Sequence, residues 1–275
     1  IDDVVKLHGG ENQGGGGTGG SNGGGNDAAA PSALRDLYPG VFFLQTAKIV
    51  IELEGKTYEA QFKISGTGFL LNDGRFVTAR HMVQPWFFIN SESEELEKKL
   101  NLIASNGGKI TQYMVAYSPT NQKIELNSEN FTVEGEDDEI KQISDNQGGQ
   151  LNMRIASANG NDWAVTRVEG VSNGGLYFDK DLSRSLEASR RLYVLGFPFA
   201  MGANAIGDIK PIYSECAVSR DGLDKGRIDI SGRAFDHGNS GGPVFTMVNG
   251  KYYVIGIVSA EYGEQGFIVP ISAIP

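Results

Sequence analysis

GTGFLLNDGRFVTARH, residues Gly66–His81, is the stretch on which the fold of this chain turns. Two apolar runs flank Asn72-Asp73-Gly74, residue types that tolerate the left-handed turn conformation, so the phrase predicts a hairpin that ends on a histidine. Outward from it, VFFLQTAKIVIELEG (Val41–Gly55) and KTYEAQFKI (Lys56–Ile64) are further β-rich runs. Downstream, GPVFTMVNGKYYVIGIVSA (Gly242–Ala260) places Asn249-Gly250 between two β-branched and aromatic runs, a second hairpin signal. Regularly spaced short strands with little helix predict an all-β barrel or sandwich.

Two segments break the pattern. SESEELEKKLNLIASN (Ser91–Asn106) has an N-cap-like Ser, early acids, later lysines, and Leu96, Leu100 and Ile103 at helical spacing, which predicts a short surface helix. After it, Asn121–Gly149 is polar and acidic and includes GEDDE at Gly135–Glu139; a charge run of this kind reads as a solvated loop. At the other end, residues 9–27, GGENQGGGGTGGSNGGGND, bury nothing and read as a flexible tail or linker, one that suits a tether to a fused or partner regulatory domain. The chain begins at Ile1 rather than Met, which leaves room for an upstream signal peptide or fused domain.

The 275 residues are ample for a large core, as one big domain or two small ones. A formal net charge of -10 argues against a nucleic-acid binder, which needs a basic face for phosphates. No apolar run approaches the roughly 20 residues of a membrane span. One Cys excludes an intrachain disulfide framework, and too few His and Cys are present for a metal set, so no metal or other cofactor is expected. Cys216, within IYSECAV, alternates with apolar residues and reads as a small buried hydrophobe. The scarcity of disulfides permits a cytoplasmic or a secreted or periplasmic location.

The chemistry-bearing segment is His237-Gly238-Asn239-Ser240-Gly241-Gly242-Pro243. A Ser between glycines can sit on a tight turn with its Oγ exposed and backbone N–H groups converging on one point, as attack on a carbonyl requires. That reading needs a base and an orienting acid elsewhere. Histidine is scarce: His8 lies in the Gly-rich tail, His237 stands three residues before Ser240, and His81 ends the strand in FVTARHMV. For His237 the bland reading, a bond to a loop carbonyl, is favoured. Trp86 and Phe87-Phe88 read as a cap on the first half of the core.

The run Gly66–His81 resembles the strand pair leading to the catalytic His of trypsin-like, chymotrypsin-fold serine proteases. Asn161-Asp162-Trp163-Ala164-Val165 is similar to their Asp segment, and GNSGGPVF to their nucleophile segment. The order His81, Asp162, Ser240 matches that family, whereas other triad folds run in other orders. LYVLGFPFAMG (Leu192–Gly202) and GFIVPISAI (Gly266–Ile274) resemble the bacterial HtrA/Deg-like and glutamyl-endopeptidase-like branch. Where digestive relatives carry Asp before the nucleophile, this chain has Asn239, so trypsin-style capture of a freed amine is not expected.

The resemblance implies two six-stranded antiparallel β-barrels, residues 35–170 and 171–275, after a Gly-rich tail over 1–34, with the helix-containing insertion in the first barrel. It implies a serine endopeptidase acting on protein or peptide substrates. In that mechanism Ser240 attacks, His81 moves the proton, Asp162 orients the imidazole, and the backbone N–H groups of Gly238 and Ser240 form the oxyanion hole. Asp137, Asp138 and Asp145 are weaker candidates for the acid. Ser259-Ala260-Glu261 is the edge expected to pair with substrate, and Ser259 matches a position whose hydroxyl commonly bonds the catalytic Asp. Ala234, Phe235, Val258 and Gly266 imply an uncharged specificity pocket, against which Asp236, Glu261 and Glu264 could set a negative rim. The alternative is a latent or inactive protease-fold module governed by a fused domain or partner.

Overall fold

Strand β1 (Val41–Leu53) is buried over Val41–Leu44, alternates in burial from Ile49 to Glu52, and anchors the N-terminal sheet. Around it run β2 (Lys56–Ala60), β3 (Ser65–Leu70), β4 (Arg75–Thr78), β5 (Lys109–Tyr117), β6 (Lys123–Asn127) and β7 (Thr132–Val133). A detached hairpin of β8 (Glu139–Ser144) and β9 (Gln150–Ile155) comes next, and β10 (Ala164–Arg167) then returns to the sheet. In this computed structural model residues 30–61, 64–89, 95–144, 148–156, 160–171, 174–198, 209–232, 238–262 and 265–275 are described. The Gly-rich segment, and with it most of the expected 1–34 tail, lies outside them. From Ala30 onward the chain is packed down: Tyr252 donates its N–H to the Pro31 carbonyl at 2.9 Å, and a 3-10 turn over Leu34–Gly40 buries Leu37.

The expectation of two closed six-stranded barrels is corrected here. Seven strands follow one open path, β6-β5-β1-β3-β4-β10-β7, with β2 added to β1. The break has a local cause. The Asn127 side chain accepts N–H bonds from Glu129 and Asn130 and turns the chain into a 3-10 turn over Ser128–Asn130. Such Asx capping competes with the strand ladder. The chain therefore re-joins the sheet for Thr132 and Val133 alone, paired with Val165 and Ala164, while β6 pairs with β5.

The C-terminal half closes. Strands β11 (Arg191–Gly196), β12 (Ile212–Val218), β13 (Ile228–Ser231), β14 (Pro243–Val248), β15 (Lys251–Tyr262) and β16 (Gln265–Pro270) form a barrel in the order β11-β12-β13-β16-β15-β14. Its interior holds Leu192, Val194, Val244, Ile255 and Ile268, the inward face of an alternating pattern. The hairpin turns stand where the sequence put them: Asn72–Gly74 joins β3 to β4, and Asn249-Gly250 joins β14 to β15. One apolar cluster runs across both halves, from Phe42, Phe69 and Val77 to Phe197, Phe245 and Val269. This shared core holds sheet and barrel in one relation.

The insertion carries a helix over Glu95–Ser105, within the expected 91–106, whose first residues lie outside those described. Leu100 shares one buried apolar cluster with Trp86, Phe87, Ile49, Ile110 and Ala156. Buried Asn101 donates to the carbonyls of Trp86 (2.7 Å) and Arg154 (2.6 Å), tying helix, insertion hairpin and sheet together. Among the described residues no helix is long and apolar enough to cross a membrane. Cys216 is buried on β12, and burial pushes its thiol up to about 12. Because the thiolate is the reactive form, a thiol-alkylating reagent is expected to leave Cys216 untouched in the folded protein and to modify it once urea unfolds the barrel. Rapid labelling of native protein would contradict this packing.

Candidate active site

Antiparallel pairing of β4 with β10 sets Ala164 opposite Thr78. The residues just past Thr78 and just before Ala164 therefore leave the same end of the sheet. Those residues include His81, in the short helix α1 (Arg80–Val83), and Asp162. Asp162 is fully buried, and such a carboxylate requires donors. It receives the His81 backbone N–H at 2.9 Å on Oδ1, while Oδ2 lies 2.8 Å from His81 Nδ1. A third donor comes from the barrel: Ser259, beside a bulge in β15, gives its hydroxyl to Oδ2 at 2.5 Å.

The electrostatics of the pair follow from these contacts. Burial works against charge on both partners. For His81 the charge and hydrogen bond of Asp162 outweigh it, and the imidazole pKa is raised above 6.5. For Asp162 the His81 ring, the Ser259 hydroxyl and the His81 N–H outweigh it, and the carboxyl is held below its usual range. The result is a fixed negative charge against a ring that binds a proton more readily than a free histidine.

The Ser240 turn is fastened to the same sheet end. Thr67 on β3 donates its backbone N–H to the Ser240 carbonyl (2.9 Å) and its hydroxyl to the Gly238 carbonyl (2.8 Å). The same hydroxyl accepts the N–H of Phe197 (3.1 Å). On the other side Gly241 donates to the Val258 carbonyl (2.8 Å), and Val258 donates to Gly242 (2.9 Å). Gly238 and Gly241 have φ of 104° and 80°, in the region that favours glycine. At Gly241 a Cβ would also stand 2.1 Å from Thr78 Oγ1 and 2.9 Å from the Ala79 nitrogen, so a side chain is barred twice over. Partly exposed Ser240 thus stands between two backbone positions that suit glycine, on a turn pressed against the strand end that leads into His81.

Of the expected site residues, His81, Asp162 and Ser259 are joined by hydrogen bonds, and Gly238 and Ser240 are tied to them through Thr67 and the β4 end. Val258 packs into the barrel core. Ala260 and Glu261 continue β15, paired with Phe267 and Gly266 of β16. Ala234, Phe235, Asp236 and His237, together with His8, Asp145 and Glu264, lie outside the described residues. Of the weaker acid candidates, Asp137 accepts from Asn161 and Asp138 is bound by Arg80 and Arg154. Among the described residues no group of three or more His, Cys, Asp or Glu is placed to hold a metal ion. Thr67 escaped the sequence reading, although its place between two glycines in GTGF was a signal of close backbone approach.

This assembly, a sheet and a barrel meeting at a partly exposed His on a buried Asp, beside a Ser in a Gly-rich turn, is the arrangement of a chymotrypsin-fold serine protease domain. A family model of the trypsin-like peptidase domain matches residues 66–257, most of the chain, and the chain belongs to that family. Among solved structures it is similar to the active form of the Rv3671c protease from M. tuberculosis, at 15% identity and a TM-score of 0.47, covering 89% of this chain and 81% of that one. It is also similar to the thermostable serine protease AL20 from an extremophilic microorganism, at 12% identity, TM-score 0.42, and 86% and 92% coverage. The human pathogenic astrovirus serine protease is a third, at 15% identity, TM-score 0.38, and 82% and 89% coverage. A search of curated proteins found no match.

Substituting Thr67→Val keeps the shape and removes the hydroxyl, leaving the Phe197 N–H and the Gly238 carbonyl without that partner. Stability is expected to fall by about 1–3 kcal/mol in urea titration. An unchanged midpoint would mean that the turn is held by other contacts.

Proposed function

We propose that this chain is a serine endopeptidase that works through His81, Asp162 and Ser240. The observation that carries the proposal is the wholly buried Asp162, bonded at once to the ring and backbone of His81 and to Ser259. A buried carboxylate on Nδ1 leaves Nε2 as the imidazole's acceptor, the tautomer that a general base needs. Ser240 Oγ attacks the peptide carbonyl, His81 takes its proton and returns it to the leaving amine, and water then repeats the sequence on the acyl-enzyme. Asp162 keeps its charge throughout and stabilises the imidazolium.

Backbone N–H groups of Gly238 and Ser240 serve as the oxyanion donors, each worth on the order of 3 kcal/mol. The positive φ of Gly238 and the bond from Thr67 to its carbonyl support that assignment, because they fix the peptide planes around it. Substrate adds as a strand beside Ser259–Glu261. Ala234, Val258 and Gly266 support a pocket for a small or medium apolar side chain at the cut. Within the family, LYVLGFPFAMG and GFIVPISAI support a place near the HtrA/Deg-like and glutamyl-endopeptidase-like branch.

A fluorophosphonate probe is expected to label the wild type, and neither Ser240→Ala nor His81→Ala. A folded wild type that does not label rejects a constitutively active enzyme in favour of a latent or inactive module. The pH profile supplies a second check. Protonated His81 cannot accept the serine proton, and its pKa is raised, so kcat/KM should climb with pH through an apparent pKa above 6.5. An ascending limb below that value would contradict the pairing with Asp162.

A further inference from the structure

The acidic run of the insertion, legible in sequence as a solvated loop, has a different role in the fold. Asp138 is nearly inaccessible, its side chain 5% exposed. It holds the Arg80 guanidinium in a two-point grip, Nη1 to Oδ1 at 2.8 Å and Nη2 to Oδ2 at 2.6 Å, and it also accepts Arg154 Nε at 2.6 Å. Arg80 itself is 1% exposed and directly precedes His81. Its Nε donates to Gln84, one helical turn on, and its guanidinium lies 5.7 Å from the Phe88 ring centre. Phe88 in turn meets the His81 imidazole edge-on, at 5.8 Å between ring centres.

The neighbouring acid is used in parallel. Asp137 accepts the side-chain amide of Asn161 at 2.9 Å, and Asn161 directly precedes Asp162. Two consecutive carboxylates of the insertion thus bind the residues immediately before each member of the His81–Asp162 pair. Space is reserved for this: a Cβ at Gly135 would stand 2.4 Å from Arg154 Nη2 and 3.0 Å from Arg80 Nη2. The far side of the loop is braced through Arg154, whose Nη2 donates to the Gly135 carbonyl (2.9 Å) and whose guanidinium lies 4.9 Å from the Phe87 ring centre.

We infer that Asp138 and Asp137 are positioning residues for catalysis, a double-carboxylate clamp by which the insertion sets the geometry of His81 against Asp162. The inference rests on the proposed protease activity. Neither acid touches a reacting atom. Each acts through the residue it holds, and a displacement of the order of an ångström at a proton-transfer pair is enough to cost orders of magnitude in rate. The insertion is on this account a required part of the site.

The test compares wild type with Asp138→Asn, which keeps the shape and removes the charge, and with Asp137→Asn. Two quantities are read at a temperature where circular dichroism shows all three folded: the rate of fluorophosphonate labelling, and the downfield proton resonance of His81 Nδ1 in NMR spectra. Asp138→Asn is expected to label about 10- to 100-fold more slowly, with that resonance shifted or lost, and Asp137→Asn to show the same changes to a smaller degree. Wild-type rate and resonance in Asp138→Asn, even with a lower melting temperature, would overturn the clamp and leave a purely structural ion pair. A slower rate with an unchanged resonance would overturn it too, since the effect would then lie outside the His81–Asp162 pair. Should Asp138→Asn fail to fold, Asp137→Asn decides alone, because its carboxylate is exposed. If wild type does not label, the activity proposal fails, and the resonance still decides whether the clamp sets the pair.

Discussion

One buried negative charge organises the centre of this protein. Asp162 has no contact with water, and an unpartnered carboxylate in such a place would neutralise or unfold the region around it. Its three donors come from two parts of the chain: the His81 ring and backbone from the end of the N-terminal sheet, and Ser259 from the C-terminal barrel. Meeting the needs of that one group therefore fixes how barrel and sheet ends approach. Thr67 does the same for the serine turn, bonding Ser240, Gly238 and Phe197 from a single buried position.

The two halves meet these demands with unequal regularity. The barrel is closed, and its strands need no edge protection. The sheet stays open where Asn127 caps a turn; the chain rejoins it for Thr132 and Val133 and then makes an excursion that returns at Ala164. That excursion carries the clamp. The apolar side of the sheet is covered by a core continuous with the barrel, through Phe197, Phe245 and Val269.

Much of this was legible from local chemistry. Turn residues at Asn72–Gly74 and Asn249-Gly250 announced their hairpins because the backbone conformations they permit are determined within a few residues. Ser240, in the Gly-rich turn GNSGG, and His81, one of three histidines, were candidates by residue type, and it was the resemblance of their flanking segments to a known family that singled them out. The open sheet did not stand out, since it depends on a single Asx cap inside a polar stretch that reads equally well as strand or loop. Asp138 was hidden for a deeper reason. Nothing in GEDDE separates one acid from the next, and burial of that one depends on Arg80 and Arg154, which meet it only in the fold. The neighbour of His81 did hold the clue: an arginine at the end of the apolar run FVTA has either to reach solvent or to find an anion.

The energetics of charge separate that network from the other ion pairs of the chain. Pairs such as Lys99–Glu95 and Lys123–Glu125 lie in water, where such contacts are worth about 0–1 kcal/mol. Arg80 and Asp138 are both nearly out of water, and removing one partner of such a pair costs about 3–5 kcal/mol because the other is stranded. Burial pushes the Asp138 carboxyl upward, yet the two guanidiniums, Arg80 foremost, hold it below its usual range. The network is thus complete only when the insertion is seated: lifting the loop from the sheet would leave the Arg80 cation buried beside His81 without its anion. The same free energy that docks the insertion opposes any arrangement of α1 in which Arg80 turns away. Position of the insertion and position of the histidine are for this reason one equilibrium rather than two.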